Sequence, residues 1–108
     1  MDFEDQLNKL AQDQIMKWSD LTENQWYEIV GISESFETEY GSSNILRLKN
    51  VKNEEITKTF SISRLPIKKI LADMASHNVF VRPKGFKISK KTGNPYHDFD
   101  IVKTVFIL

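Results

Sequence analysis

Residues 26–36 read WYEIVGISESF, a run in which β-branched and aromatic side chains predominate. Such a composition predicts a β-strand of unusual length. Gly31 lies in the middle of the run, and a glycine inside a strand usually marks a bulge or a tight bend. The stretch therefore predicts a long first strand that bends at Gly31.

Four further strands are predicted after this one. Gly41 supplies a permissive backbone for the turn that follows the first strand. The second strand covers 44–50 (NILRLKN), where apolar and polar residues alternate, so that Leu46 and Leu48 point to one side. The remaining three strands are predicted at 56–63, 79–88 and 96–107.

Two helices complete the pattern. Residues 3–18 carry apolar side chains at three- and four-residue steps without an interrupting glycine or proline, which predicts an amphipathic helix. A second helix is predicted to begin at Ser63 as its N-cap, with Pro66 in the first turn, and to end at Asn78.

The predicted order is a helix, three strands, a second helix and two strands. The OB-fold, a five-stranded Greek-key barrel with a long bent first strand, places a helix between its third and fourth strands. We therefore predict an all-β dominated fold: a five-stranded OB-type Greek-key barrel in residues 20–108. An acidic amphipathic helix within residues 1–19 precedes it.

Residues 20–105 resemble OB-fold single-stranded-DNA-binding proteins in this topology. A local pattern is also similar to their first two strands and turn: WYEIV at 26–30, TEYG at 38–41 and ILRL at 45–48. The resemblance implies a non-catalytic protein that binds single-stranded DNA, or RNA, with low sequence specificity in replication or recombination. Small accessory proteins of viruses and phages are of this kind. Because OB-folds also bind oligosaccharides and proteins, the fold alone does not decide the function.

The charge distribution favours a polyanionic ligand. The 108 residues have a net charge of zero. Residues 1–40, however, hold ten acidic and two basic side chains, a net charge of −8, whereas residues 41–108 hold five acidic and thirteen basic ones, a net charge of +8. The predicted barrel is therefore a basic body that follows an acidic segment.

The candidate nucleic-acid-binding residues follow from where OB-folds hold their ligands, across strands two and three and between the loops that join strands one to two and four to five. The candidate phosphate-binding cations are Arg47, Lys49, Lys58, Arg82, Lys84, Lys87, Lys90 and Lys91. The candidate base-stacking rings are Tyr40, Phe80 and Tyr96, and the rings expected in the core are Trp26, Phe60, Phe86, Phe99 and Phe106. The prediction is a single positive trough lined with rings; the alternative is that these cations only solvate a scattered surface.

No pattern favours an enzyme, a metal site or a cofactor. The chain has no cysteine, no phosphate-binding glycine motif and no nucleophile motif. His97 is flanked by Asp98 and Asp100, but strand alternation places the imidazole on the side opposite to both carboxylates. We expect a non-enzyme without cofactor or metal.

An alternative from a different class is a protein–protein interaction module on the same barrel, a complex subunit or an inhibitor. Its working surface would be the acidic helix or the apolar C-terminal strand at 102–108, either of which also offers a contact for a homo-oligomer. A further hypothesis is that the acidic segment competes for the basic groove in the free protein. No apolar run reaches the ~20 residues of a membrane span. The N-terminus does not read as a secretory signal, so we expect an intracellular protein of cytoplasm or nucleus with no membrane contact.

Overall fold

The structure, a computed structural model, describes residues 3–4, 15–38 and 41–105. Strands dominate it, which confirms the predicted class. In chain order the elements are a 3-10 turn (Trp18–Asp20), β1 (Tyr27–Ile32), β2 (Phe36–Thr38), β3 (Gly41–Ser43), β4 (Ile45–Asn50), β5 (Ile56–Phe60), the helix α1 (Ile67–Asp73), β6 (His77–Ile88) and β7 (Pro95–Val105).

Five of the strands form one antiparallel sheet in the order β5-β4-β1-β6-β7, and β2 pairs with β3 in a separate hairpin. The sheet is open: within the described residues, its edge strands β5 and β7 are not paired with each other. The predicted closed barrel is therefore replaced by an open sheet with a gap between its edges.

The core lies on one side of this sheet. Leu46 and Leu48 on β4 are fully buried while Arg47 between them is exposed, which confirms the predicted alternation. Side chains two residues apart on a strand share a face, so one face collects the apolar residues of every central strand. The buried core consists of Trp18, Leu21, Tyr27, Ile29, Leu46, Leu48, Leu65, Ile70, Val79 and Val81.

The N-terminal segment spans the gap between the sheet edges. Met16 exchanges two backbone hydrogen bonds with β5, at 2.8 and 3.1 Å. The fully buried hydroxyl of Thr59 donates a third bond to the Met16 carbonyl at 3.0 Å. Trp18 is 4% exposed, and its ring lies edge-on to Phe99 of β7 with centroids 6.3 Å apart. The segment is thus bonded to one edge and packed against the other.

This arrangement corrects the predicted N-terminal helix. Residues 3 and 4 are helical, but 15–17 are not, and 5–14 lie outside the described residues. The predicted helix does not extend to residue 18, because the backbone groups of Met16 form hydrogen bonds with β5 and not within a helical turn.

The second helix is shorter than predicted. It covers Ile67–Asp73, with Pro66 at the N-cap and no side-chain cap bond, so the prediction of Ser63 as N-cap is wrong. Its C-terminal limit also differs, because His77 and Asn78 already pair with β7 as the first residues of β6. Tertiary strand pairing has replaced the last helical turn.

The irregularity predicted at Gly31 is present as a shift of register. The register between β1 and β4 shifts between Ile29 and Gly31, as at a β-bulge, and Gly31 is a partner of Arg47. A side chain at this position would begin 3.5 Å from the Arg47 stem. The predicted strand 26–36 is, however, divided: β1 ends at Ile32, and Phe36 begins the hairpin.

β6 and β7 pair over most of their length. A second irregularity lies between Pro83 and Phe86, where Gly85 adopts φ +77°. Proline is tolerated in a strand at such a bulge, so β6 continues through Pro83. The predicted strand 96–107 is described up to Val105, and residues 106–108 lie outside the described part.

Candidate functional site

A groove of about 840 Å³ lies between the β2–β3 hairpin and the β6–β7 ribbon. Its walls come from four parts of the chain: residues 17–19, residues 42–43, residues 60–63, and the pair Phe86 and His97. Hydroxyl groups and aromatic rings prevail among these residues. Such a mixture can stack against a planar ligand and hydrogen-bond to its edges.

Phe86 and His97 form the ribbon side of the groove. The two residues are cross-strand partners, and their ring centroids lie 4.4 Å apart at a tilt of 36°. The bulge at Gly85 inserts an extra residue into β6, which sets the register that places the two rings together. Phe86 is 59% exposed, so its expected place in the core is wrong.

The opposite side of the groove begins at the end of β5. Phe60, also expected in the core, is half-buried and lines the groove. Lys58 lies two positions earlier on the same strand and therefore on the same side of it. Arg47 is the cross-strand partner of Lys58. Like charges directly opposite are unfavourable in a sheet, and an anion placed between them would relieve the repulsion.

At the turn end of the ribbon lie three exposed cations, Lys87, Lys90 and Lys91, called here the ribbon cations. None of them forms an ion pair within the part of the chain that the structure describes. Lys87 is the strand partner of Tyr96, and the guanidinium of Arg64 lies 4.3 Å above the Tyr96 ring. Arg64 directly follows residues 60–63, which form one wall of the groove. This cation, which was not among those predicted from the sequence, therefore lies beside the groove.

Arg82 and Lys84 are placed differently. Arg82 donates two hydrogen bonds to Asp100, one of them from Nε at 3.1 Å, and Lys84 Nζ lies 3.7 Å from the same carboxylate. The Arg82 guanidinium also covers the half-buried Trp26 ring at 4.6 Å. These two predicted phosphate-binding cations are therefore already engaged by protein groups.

This cluster has a consequence for stability. The Arg82 hydrogen bond, aided by the positive charge of Lys84, lowers the pKa of Asp100 below 3.8. A carboxylate with a depressed pKa stabilises the folded state above its unfolded pKa and loses that contribution as the pH falls through its folded pKa.

We therefore expect Asp100→Asn to unfold at lower urea concentration than the wild type at neutral pH, with the difference shrinking as the pH falls below 3.8. The contribution is small, because about a third of each of these side chains is exposed to solvent, which screens the ion pairs. Urea midpoints over a pH series measure it. Asp98→Asn is the control, and a difference for Asp100→Asn that persists in acid would contradict the account.

The predicted stacking rings are not gathered in the groove. Phe80 is half-buried, between its partners Glu28 on β1 and Val102 on β7. Tyr40 lies outside the described residues. Tyr96 lies on the ribbon under Arg64, next in sequence to His97.

The remaining predicted cation, Lys49, is half-buried on β4 with Glu28 and Ile56 as its strand partners. It lies on the same side of β4 as Arg47. The eight predicted cations thus fall into three sets, namely those of β4–β5, those of the ribbon, and the Asp100 cluster. A single trough that contains all eight is not observed.

No three metal-ligating side chains come together in residues 3–4, 15–38 and 41–105, and no helix there is long and apolar enough to cross a membrane. Comparisons of the chain with protein-family models, with characterised proteins and with solved structures find no match.

Proposed function

We propose that this protein is a non-catalytic protein that binds single-stranded nucleic acid, with DNA as the expected ligand, and that the groove is its binding site. The observation that carries the proposal is the groove itself: its lining combines the exposed Phe86 ring, in contact with the half-buried His97, with the cation Lys17, and the strands that contribute to it carry further cations. Single-strand binding uses this combination, because stacking holds the bases while cations hold the phosphates.

The strand order supports an OB-type Greek-key arrangement. The strand order β5-β4-β1-β6-β7 is that of an OB barrel opened between its third and fifth strands. In that reading the β2–β3 hairpin corresponds to the loop between strands one and two, and the β6–β7 turn to the loop between strands four and five. OB-folds take oligonucleotides between these loops, which is where the groove lies.

The proposed ligand contacts differ from those expected from sequence. Phosphates would meet Arg47, Lys49 and Lys58 on one border, and the ribbon cations Lys87, Lys90 and Lys91 on the other. Arg82 and Lys84 are excluded from the set because both already form ion pairs with Asp100. Since stacking and phosphate contacts read little sequence, the proposed specificity is low, as replication or recombination requires of a general single-strand binder.

A titration with fluorescent oligo-dT, oligo-rU and a duplex of equal length at two salt concentrations tests the function. We expect both single strands to bind more tightly than the duplex, with affinity that falls as salt rises. Equal and negligible binding to all three ligands would overturn the proposal. The difference between the affinities for oligo-dT and oligo-rU decides between DNA and RNA.

Reversing the charge of the β4–β5 cation pair tests the site. We expect Arg47→Glu with Lys58→Glu to weaken binding equally for all single-stranded sequences. The slope of log affinity against log salt should decrease by about 0.7 for each phosphate that the variant no longer neutralises. Lys52→Glu is the matched control, since Lys52 is exposed in the turn at the opposite end of the β4–β5 ladder from Phe60. An equal decrease in affinity for the control would show a general charge effect and no site.

One observation favours the alternative of a protein-interaction module. The edge strand β7 exposes Ile101 (36%), Val102 (46%) and Val105 (70%), and an exposed apolar edge strand is suited to pairing with another chain. Light scattering distinguishes the two functions when combined with the titration. A stable assembly that binds no single strand would favour the alternative.

A further inference from the structure

We propose that His97 couples single-strand binding to pH, because its protonation places a positive charge in the wall of the groove beside the bound strand. The inference rests on the proposed function and adds to it a form of regulation. It concerns a residue that sequence reasoning set aside as catalytically irrelevant.

The geometry around His97 allows it to take up a proton in place. The imidazole lies against the Phe86 ring at a centroid distance of 4.4 Å, and both residues line the groove. A cation within about 6 Å of an aromatic ring centroid is attracted by the ring face. Protonation therefore strengthens the contact between the two rings and leaves the charge at the groove surface.

No carboxylate forms an ion pair with His97 among the described residues. The basic groups on the elements around the groove are Lys17 in the N-terminal segment, Lys58 on β5, Arg64 after it, Arg82, Lys84 and Lys87 on β6, and Lys103 on β7. The acidic groups are Asp20, Glu23, Glu37 on β2, and Asp98 and Asp100 on β7. Asp20 accepts a hydrogen bond from the Lys17 backbone, Asp100 is paired with Arg82, and the Glu23 carboxylate lies against Gly85. Glu37 accepts a hydrogen bond from the Ser42 hydroxyl at 2.8 Å, and Asp98 follows His97 on the opposite side of the strand. The described lining of the groove contains no carboxylate, so a bound phosphate is the natural counter-charge.

The free protein holds His97 in the neutral form at neutral pH. Burial lowers the pKa of its imidazole below the ordinary value of 6.5. A phosphate in the groove favours the protonated form and raises this pKa again. By linkage, the affinity for the strand must then rise as the pH falls. The ratio of the affinities at low and high pH equals the factor by which the bound strand raises the proton affinity of His97.

The experiment measures the affinity for oligo-dT between about pH 8 and about pH 5, the interval in which histidine changes its charge. We expect the wild type to gain roughly two- to fivefold in affinity toward the acidic end, the range of a solvent-accessible ion pair. Its salt slope should also steepen by about 0.7. His97→Gln should lose both the gain in affinity and the steeper salt slope, whatever affinity it has at the basic end.

The chain offers a matched control and a second readout. It has only one other histidine, His77, which begins β6, contacts the Ser76 hydroxyl at 2.7 Å and does not line the groove. His77→Gln should therefore retain the full pH dependence. An NMR titration of the wild-type imidazole protons, with and without saturating oligo-dT, should show the pKa of His97 rising on binding, which requires no variant to fold.

The outcomes separate this inference from the proposed function. Binding of oligo-dT with the same pH dependence in wild type and His97→Gln, or an unchanged His97 pKa on binding, overturns the inference and leaves the function standing. Absence of binding to single strands at every pH overturns both. Loss of the pH dependence in His77→Gln would also overturn the inference, because it would assign the effect to the other histidine.

Discussion

Phe86→Ala is expected to weaken the binding of oligo-dT by about 1–3 kcal/mol, roughly 5- to 150-fold in Kd, the range found for removing one stacking ring. The reason is that Phe86 is 59% exposed in the groove wall and stacks only on His97 among the described rings. The variant removes the ring surface available to a base while the core stays intact. Fluorescence anisotropy titrations at constant salt measure the change in affinity.

Ile88→Ala is the matched control for this prediction. Ile88 lies two residues further along β6, is 64% exposed and does not line the groove. Its truncation should leave the affinity unchanged. An abasic oligonucleotide adds a second check, because Phe86→Ala should scarcely change the affinity for a strand without bases. An equal decrease for Phe86→Ala and Ile88→Ala would show that the ring has no special part in binding.

Trp18→Ala is expected to lower the free energy of unfolding by about 3–5 kcal/mol, the usual cost of truncating a large buried aromatic side chain. Trp18 is 4% exposed and lies in the gap between the edge strands, edge-on to Phe99. Its removal leaves a cavity at the place where no strand pairing closes the sheet within the described residues. Urea unfolding followed by circular dichroism measures the change.

Ser19→Ala tests whether the effect belongs to the buried ring or to the whole segment. Ser19 is the exposed neighbour of Trp18, and its truncation should change the stability by less than about 0.5 kcal/mol. A Trp18→Ala variant as stable as the wild type would show that the N-terminal segment does not hold the sheet edges together. Trp18→Ala should also weaken single-strand binding, since residues 17–19 form one wall of the groove.

Local patterns predicted the parts of the fold that depend on near neighbours in sequence. The alternation in residues 44–50 correctly identified Leu46 and Leu48 as buried, because strand geometry alone fixes which side chains share a face. The bulge at Gly31 was predictable for a similar reason: a glycine within a run rich in β-branched and aromatic residues usually marks a bulge or a bend.

Long-range contacts decided the parts that were predicted wrongly. The helical periodicity of residues 3–18 did not reveal that Met16 bonds to β5, a partner more than forty positions away. In the same way, the end of the second helix depended on the pairing of His77 with Val105. In both cases tertiary hydrogen bonds outweighed a weak local propensity.

The candidate site also has features that the sequence determines and features that depend on the tertiary structure. The sequence alone determined a strand-rich fold with a basic body, since those properties depend only on the order in which apolar, polar and charged residues follow one another. The tertiary structure decided which of the cations remain available: Asp100 occupies Arg82 and Lys84, whereas the ribbon cations stay unpaired among the described residues. It also brought Phe86 and His97 together through the register shift in β6. Electrostatic compensation and ring stacking act over a few ångströms in space, so only the folded chain determines them.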